Sequence, residues 1–203
     1  MNQRRALICS ALLAYGWCTG VVWAQEGFPN KPVRIVVPQT PGGASDALAR
    51  IMAQKLSEKW GQSVVVENRA GAGGNVGMEV VAQSAPDGHT LLMSYAGSHA
   101  INPALYKKLP FDVEADFVPV APIIDVSNVL TINPQVIPAK TLKEFVDLVK
   151  AHPGQYNYAS TGNGAGTHMA FAEFNARLGL NLVHVPYKGG PEAITSVIKG
   201  ETC

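Results

Sequence analysis

The chain has 203 residues, of which 47% are apolar and 15% are charged, and its formal net charge at pH 7 is +1. The apolar content is enough for a buried core and excludes a disordered chain. The nearly balanced charge, without a basic stripe, excludes a dedicated nucleic-acid-binding protein. The length permits one large domain or two small ones.

The first 24 residues have the pattern of a cleavable secretory signal peptide. Arg4 and Arg5 form a positive start, residues 6–20 are mostly apolar, and Val22-Trp23-Ala24 offers a cleavage site. Removal of this segment leaves Cys203 as the single remaining cysteine, and one cysteine cannot form a disulfide within the remaining chain. These features predict a protein exported to a bacterial periplasm.

In the first half of the chain, short β-rich runs alternate with helical segments. The patterns predict, in order, a strand over 33–37, a helix over 45–60 that ends at Gly61, a strand over 64–66, a helix over about 75–85 and a strand over 90–94. The near-continuous apolar run at 64–66 is typical of a parallel strand that is buried on both faces. Residues 97–116 are predicted to be irregular, because prolines 103 and 110 break any helix.

The second half repeats this alternation. It predicts an extended segment over 118–124, a strand over 129–132, a helix whose capping box pairs Thr141 with Glu144, a strand over 157–160, a helix over 166–178, a strand over 182–185 and a helix over about 191–199. The prediction is therefore an α/β fold with a first domain over 25–125 and a partial second domain over 126–203. Ligands bind such sheets at the carboxyl ends of the strands, so two facing domains predict a clamp.

The first glycine-rich turn is a candidate anion site. Thr40 precedes Pro41-Gly42-Gly43-Ala44-Ser45-Asp46, which lies between a predicted strand and a predicted helix. Unpaired N–H groups and the positive end of the helix dipole favour an anion there, and Thr40 and Ser45 add hydroxyl donors. The alternative is an ordinary turn with Ser45 as the N-cap and Asp46 as a favourable acid in the first helical turn.

The second glycine-rich turn only partly matches a dinucleotide-binding motif. Gly71 and Gly73 occupy the first two glycine positions of that motif, but Val76 stands at the third. The strand after the helix ends in Ser94-Tyr95 instead of the acid that would bind a ribose hydroxyl. The pattern therefore favours a turn that packs near the cleft over a nicotinamide site.

The third glycine-rich turn is surrounded by hydroxyl groups. Ser160, Thr161 and Thr167 flank Gly164 at a predicted helix start. This arrangement suits a carboxylate held by neutral donors, or equally a polar helix-cap cluster. Ser160 lacks the Gly-x-Ser-x-Gly surroundings of a catalytic nucleophile, so no catalytic residue is predicted.

Two further features flank this turn. His168 and His184 lack the spacing of metal ligands, so we interpret them as structural histidines and predict no metal site. Tyr187 and Lys188 follow the last predicted strand, where Tyr187 would hydrogen-bond a ligand and Lys188 would neutralise a carboxylate. Lys188 as an ordinary solvated charge is the alternative.

Six stretches of sequence carry a family resemblance. They are residues 28–32, 41–46 with Arg50, 66–74, 86–92, 160–162 with His168, and 184–189. Together they resemble the Bug family, the periplasmic solute receptors of tripartite tricarboxylate transporters. The resemblance implies a periplasmic-binding-protein-like α/β receptor, without a cofactor, whose two domains hold a small carboxylate in a cleft.

The resemblance also implies the residues of the two lips of that cleft. The first lip consists of Gly42, Gly43, Ala44, Ser45 and Asp46. The facing lip consists of Ser160, Thr161, Gly164 and Thr167, with Tyr187 and Lys188 nearby. Gln39 and Thr40 stand where the family often has an aromatic residue and a proline, which leaves the ligand preference open.

The same resemblance raises the question of length, because family members continue past residue 200. We therefore expect a truncated or frameshifted product. The leading hypothesis is a monomeric, non-enzymatic receptor that presents a small organic carboxylate to the membrane subunits of a transporter. The alternatives are a non-functional receptor remnant and a nucleotide-dependent α/β oxidoreductase.

Overall fold

The computed structural model describes residues 27–203, so the predicted signal peptide at 1–24 lies outside the described residues. Lys31–Cys203 forms one compact unit. The helices and strands described below all lie in this unit. Within the described part of the chain, no helix has both the length and the apolar character that crossing a membrane requires.

The first sheet is parallel and has the order β2-β1-β3, with β1 at Val33–Val37, β2 at Val64–Asn68 and β3 at Thr90–Leu92. The central strand β1 is almost fully buried, as its β-branched sequence requires. The expectation that 64–66 is buried on both faces is wrong, because Val65 is 53% exposed. β2 pairs only with β1 among the described strands, and only Val64 and Val66 pack into the core cluster.

Helix α1 (Ala44–Trp60) covers one face of this sheet. Its Ala49 and Ala53 pack in a core cluster with Ile35 and Val37 of β1. The helix ends at Gly61, which adopts the left-handed conformation that glycine tolerates best, as the sequence predicts. A 3₁₀ turn (Ala72–Gly74) then leads into α2 (Asn75–Ala82), which is shorter than predicted.

Two predictions for the middle of the chain are wrong. Residues 97–105 are helical: a π-helical turn (Gly97–Ile101) runs into the short helix α3 (Asn102–Leu105). Pro103 lies at the junction of these two helical segments, in the first turn of α3. No strand forms at 129–132, because this apolar run, with Val129 87% exposed, pairs with no strand among the described residues.

The second sheet has two described strands, β4 (Asn157–Ser160) and β5 (Val183–Pro186), which are parallel. Three helices accompany them: α4 (Leu142–Ala151), α5 (Gly166–Leu178) and α6 (Gly190–Lys199). The predicted span of α5 is confirmed at both ends, and α4, α6 and the two strands agree to within one or two residues. A core cluster forms around Ile137, Phe145, Val149 and Tyr158.

The predicted N-cap of α4 is confirmed. Thr141 Oγ1 accepts a hydrogen bond from Glu144 N–H at 3.2 Å, while Glu144 Oε2 accepts from the N–H of Lys140, one residue before the cap, at 2.7 Å. Replacing Thr141 with alanine should lower the free energy of unfolding by about 1 kcal/mol, because it leaves a first-turn N–H without its partner. Urea unfolding measures this change. Thr141→Ser keeps the acceptor and serves as the control, and equal stability of the two variants would contradict the cap.

Candidate functional site

The 40–46 loop connects β1 to α1, and the carboxylate of Asp46 bonds back to the backbone of this loop. Gly42 has a φ of +85°, and its N–H donates to Asp46 Oδ2 at 2.9 Å. The helix begins at Ala44, and its N-cap Gly43 makes no side-chain capping bond. Ser45 therefore lies in the first turn and is not the N-cap, which corrects the alternative interpretation of this turn.

Asp46 ties this loop to the end of β2. Its side chain is buried, and Arg50 Nε donates to Oδ2 at 3.0 Å. Arg50 also donates to Asn68 Oδ1 at 3.3 Å, and Asn68 Nδ2 donates to the carbonyl of Gln39 at 3.1 Å. The hydrogen bond from Arg50 is the main cause that holds the pKa of Asp46 below its usual range; burial opposes it and the N–H of Gly42 adds to it.

The 160–167 loop connects β4 to α5, and its hydroxyl groups pair with each other and with the backbone. Thr167 Oγ1 accepts from Thr161 N–H at 3.1 Å and lies 3.0 Å from Thr161 Oγ1. Ser160 is 1% exposed, and its Oγ accepts from Gly162 N–H at 3.2 Å. The structure thus pairs the predicted Thr161 with Thr167, while the neighbouring Ser160 bonds to Gly162.

His168 and His184 lie beneath this loop as a stacked pair. Their ring centroids are 4.0 Å apart with an 11° angle between the planes, and Tyr158 stacks on His184 at 4.9 Å. His168 Nδ1 accepts from Gly164 N–H at 3.1 Å. Burial lowers the pKa of His168, and burial together with the neighbouring His168 lowers the pKa of His184 to about 4. Both rings are therefore neutral at pH 7.

The residues after β5 continue beside β4. The N–H of Tyr187 donates to the carbonyl of Ser160 at 3.0 Å, and the N–H of Lys188 donates to Glu192 Oε2 at 3.1 Å. The side chain of Lys188 is exposed. Within residues 27–203, no group of three or more histidine, cysteine, aspartate or glutamate side chains is arranged to hold a metal ion.

The 40–46 loop meets the 187–190 turn at Gly189 and the first turn of α6 at Gly42. A β-carbon on Gly189 would overlap Thr40 Oγ1, and one on Gly42 would lie 3.5 Å from Pro191 Cγ. Thr40 Oγ1 is itself buried and has no hydrogen-bond partner among the described residues. Loops at the carboxyl ends of strands from both sheets therefore touch, and at Gly189 the contact leaves no room for a side chain.

The 160–167 loop contacts the 71–74 turn, which the sequence predicts to pack near the cleft, and Asn102, which the sequence did not identify. A β-carbon on Gly73 would lie 2.5 Å from the carbonyl oxygen of Asn163, and one on Gly164 would overlap Asn102 Oδ1. Asn102 is fully buried and donates to the carbonyl of Gly73 at 2.9 Å, which Tyr95 OH also contacts at 2.7 Å. The sequence alone does not identify Asn102 as a buried site residue, because Asn102-Pro103 has the pattern of a helix break.

A cavity of about 740 Å³ lies beside the 160–167 loop. Its lining combines the hydroxyl-bearing Ser160, Thr161 and Thr167 with apolar side chains of α5 and α6, including Phe171 and Ile194. The predicted hydroxyl residues therefore adjoin apolar surface on this side.

Sequence comparison identifies the family. Residues 48–202 match the family model of the tripartite tricarboxylate transporter family receptor. A UPF0065 protein of Bordetella pertussis is 39% identical over 172 residues, which are 85% of this chain and 53% of that protein. Protein BugT of the same organism is 37% identical over 202 residues, which are 98% of this chain and 61% of BugT. The chain thus spans little more than half the length of these relatives.

Solved structures agree with the sequence comparison. The R. palustris protein Rpa4515 with adipate superposes with a TM-score of 0.84 at 32% identity, covering 86% of this chain and 58% of that protein. MatC (Rpa3494) from Rhodopseudomonas palustris with bound malate gives a TM-score of 0.75 at 33% identity, covering 86% of this chain and 59% of MatC. The resemblance found in the sequence is confirmed: the chain belongs to the tripartite tricarboxylate transporter receptor family, which includes the Bug proteins, and it has the α/β fold of periplasmic binding proteins.

Proposed function

We propose that the chain acts as a periplasmic receptor that captures a small organic carboxylate for the membrane subunits of a tripartite transporter. The 40–46 loop and the 160–167 loop form the two sides of the site, with Tyr187 and Lys188 at its edge. The observation that carries this proposal is the contact of loops from both sheets at the carboxyl ends of their strands, where Gly189 lies against Thr40.

The helix starts at this edge support an anion as the ligand. The N-caps of α1, α5 and α6 are Gly43, Ala165 and Gly189, and none of them makes a side-chain capping bond. Thr141 caps α4, whereas α2 and α3 also begin without a side-chain capping bond. Helix starts without a capping side chain keep N–H groups available for an anion, and the helix dipole favours negative charge there.

The charge of the site supports recognition by neutral groups. Asp46 is compensated by Arg50 at 3.0 Å, so this pair contributes little net charge to the 40–46 loop. Ser160, Thr161 and Thr167 offer hydroxyl groups, and Lys188 is the cation among the proposed ligand-binding residues. The adipate and malate named for the two structural relatives belong to the same chemical class of dicarboxylates.

Thermal unfolding of the full 203-residue chain tests this proposal with adipate and malate, with the neutral diamide of adipate as the matched control. A ligand at 100 times its Kd stabilises the native state by about 2.7 kcal/mol, which raises the Tm by roughly 5–10 °C for a chain of this size. The diamide should leave the Tm unchanged. Cooperative melting that neither acid shifts, or chemical conversion of a bound acid, would contradict the receptor.

A further inference from the structure

We propose that His168 and His184 are positioning residues, which hold the 160–167 loop in its binding geometry only while both imidazoles are neutral. This inference rests on the proposed function, because the loop is one side of the proposed carboxylate site. The two histidines therefore make ligand capture sensitive to pH without contacting the ligand.

The first part of the arrangement is the bond between His168 and Gly164. His168 lies in the first turn of α5, and its Nδ1 accepts the N–H of Gly164 at 3.1 Å. A ring nitrogen accepts a hydrogen bond only through its lone pair, so this contact requires an unprotonated Nδ1. Gly164 itself has a φ of +76° and packs against Asn102, which leaves its backbone little freedom to turn to another acceptor.

The second part fixes Ser160 at the other end of the loop. His184 Nε2 lies 2.6 Å from Ser160 Oγ, and an unprotonated Nε2 accepts the single hydroxyl proton of Ser160, for which the carbonyl of Gly162 at 3.3 Å is the more distant alternative. Ser160 Oγ also accepts from the N–H of Gly162 at 3.2 Å. Ser160 is 1% exposed, so water does not replace these partners readily. His184 therefore anchors the first residue of the loop, as His168 anchors its middle.

The stack couples the two anchors. With ring centroids 4.0 Å apart, a proton on one imidazole opposes a proton on the other. β4 contributes Tyr158 as the titratable group facing the pair, and burial raises the pKa of its hydroxyl, so it remains neutral as well. Among residues 27–203, no ion pair joins either histidine to a carboxylate.

The direction of the pH effect follows from these contacts. Burial lowers the pKa of His168 below its ordinary 6.5 and that of His184 to about 4. The folded arrangement binds fewer protons than a released loop between these values, so it loses stability as the pH falls from about 6.5 towards 4. Protonation of His168 also replaces the acceptor of the Gly164 N–H with a second donor. Acidification should therefore release the loop and weaken ligand capture.

The ligand-free chain tests the anchoring directly by NMR. The ¹⁵N shifts of the His168 ring and the amide of Gly164 are followed from about pH 7.5 to about pH 4.5, a range that spans the ordinary histidine pKa. We expect an unprotonated Nδ1 at the upper end and a Gly164 amide that titrates with His168. Two results would overturn the inference: a protonated Nδ1 at about pH 7.5, or a Gly164 amide shift that does not change when His168 titrates.

Two variants extend the test to ligand affinity. His168→Asn places an amide oxygen near the position of Nδ1 and cannot titrate, whereas His168→Leu has no acceptor. His168→Leu should bind adipate and malate about three- to tenfold more weakly at about pH 7.5, and the wild type should lose about three- to tenfold more affinity than His168→Asn between about pH 7.5 and about pH 5. Titration of the ligand itself cancels in that comparison.

His152→Asn is the matched control, because its Nδ1 contacts the carbonyl of Leu148 at 2.9 Å, at the end of α4. The affinity of His152→Asn for adipate and malate should equal that of the wild type at every pH. Identical pH profiles for the wild type and His168→Asn would overturn the inference, including the case in which His168→Leu fails to fold. If no form binds either acid at any pH, the proposed function fails, while the NMR titration still decides on the anchoring.

Discussion

Replacing Gly73 with alanine should weaken carboxylate binding by about tenfold or more. Gly73 has a φ of +65°, and a β-carbon there would lie 2.5 Å from the backbone oxygen of Asn163 and 3.2 Å from Tyr106 OH. A backbone carbonyl cannot swing aside as a side chain can, so the methyl group must push the 160–167 loop away from the 71–74 turn. A tenfold loss corresponds to about 1.4 kcal/mol of binding free energy.

Gly61→Ala provides a closely matched control for this prediction. Gly61 has a φ of +67°, almost that of Gly73, but a β-carbon at Gly61 meets nothing within 4 Å. Both variants should lose about 1–2 kcal/mol of stability to the left-handed backbone conformation. Calorimetric titration with adipate and malate then shows whether Gly73→Ala alone loses affinity for the ligand. Equal affinity of Gly73→Ala and Gly61→Ala would show that the contact with Asn163 does not matter for binding.

Replacing Asp46 with alanine should lower the free energy of unfolding by about 1–3 kcal/mol at neutral pH, because the N–H of Gly42 and the guanidinium of Arg50 both lose their acceptor. The 40–46 loop loses its closing contact at the same time, so affinity for the acids should fall as well. Urea unfolding and ligand titration measure the two effects separately.

The difference in the free energy of unfolding between the wild type and Asp46→Ala should also depend on pH. Folding lowers the pKa of Asp46 from its ordinary 3.8, mainly through the hydrogen bond from Arg50. A carboxyl group with a lowered pKa contributes stability above its ordinary pKa and loses it as the pH falls through the folded value. The stability gap between the wild type and Asp46→Ala should therefore narrow as the pH falls below about 4, and a constant gap would contradict the role of the carboxylate.

Asp147→Ala is the matched control for this second prediction. Asp147 pairs with Lys143 across one helical turn at 2.6 Å, but its side chain is 60% exposed. Exposed pairs of this kind contribute little, so we expect a change within about 0.5 kcal/mol. If Asp147→Ala destabilised the chain as much as Asp46→Ala does, burial of the Asp46 contact would not be the cause.

The elements that the sequence predicted well carry local signals. The β-branched run of β1, the cap at Thr141 and the glycine after Trp60 each act within a few residues, so they can be found without a tertiary structure. The failures depend on distant partners. The apolar run at 129–132 needs a neighbouring strand to become one itself, and the exposure of Val65 depends on the position of β2 in the sheet.

In the candidate site, too, local features can be predicted from the sequence, whereas contacts between distant residues cannot. The glycine-rich turns at 41–46 and 160–167 are visible in the sequence, because glycines and hydroxyls follow strands there. The stack of His168 on His184 is not, because the two residues are brought together only when β5 pairs with β4 and α5 packs against β4. The contact of Gly73 with the 160–167 loop likewise joins residues about ninety positions apart.

The missing side-chain caps of α1, α5 and α6 have a consequence for how this surface can change. At Ala165, a serine or aspartate would bond the N–H groups of its own helix and stabilise it by about 1 kcal/mol, and at Gly43 the gain would be roughly a few tenths of a kcal/mol. Such a residue would also act as a tethered competitor, present at a far higher local concentration than any dissolved acid. At Ala165 and Gly43, a gain in helix stability would therefore come with a loss of ligand affinity, while Gly189 has no room for a side chain beside Thr40.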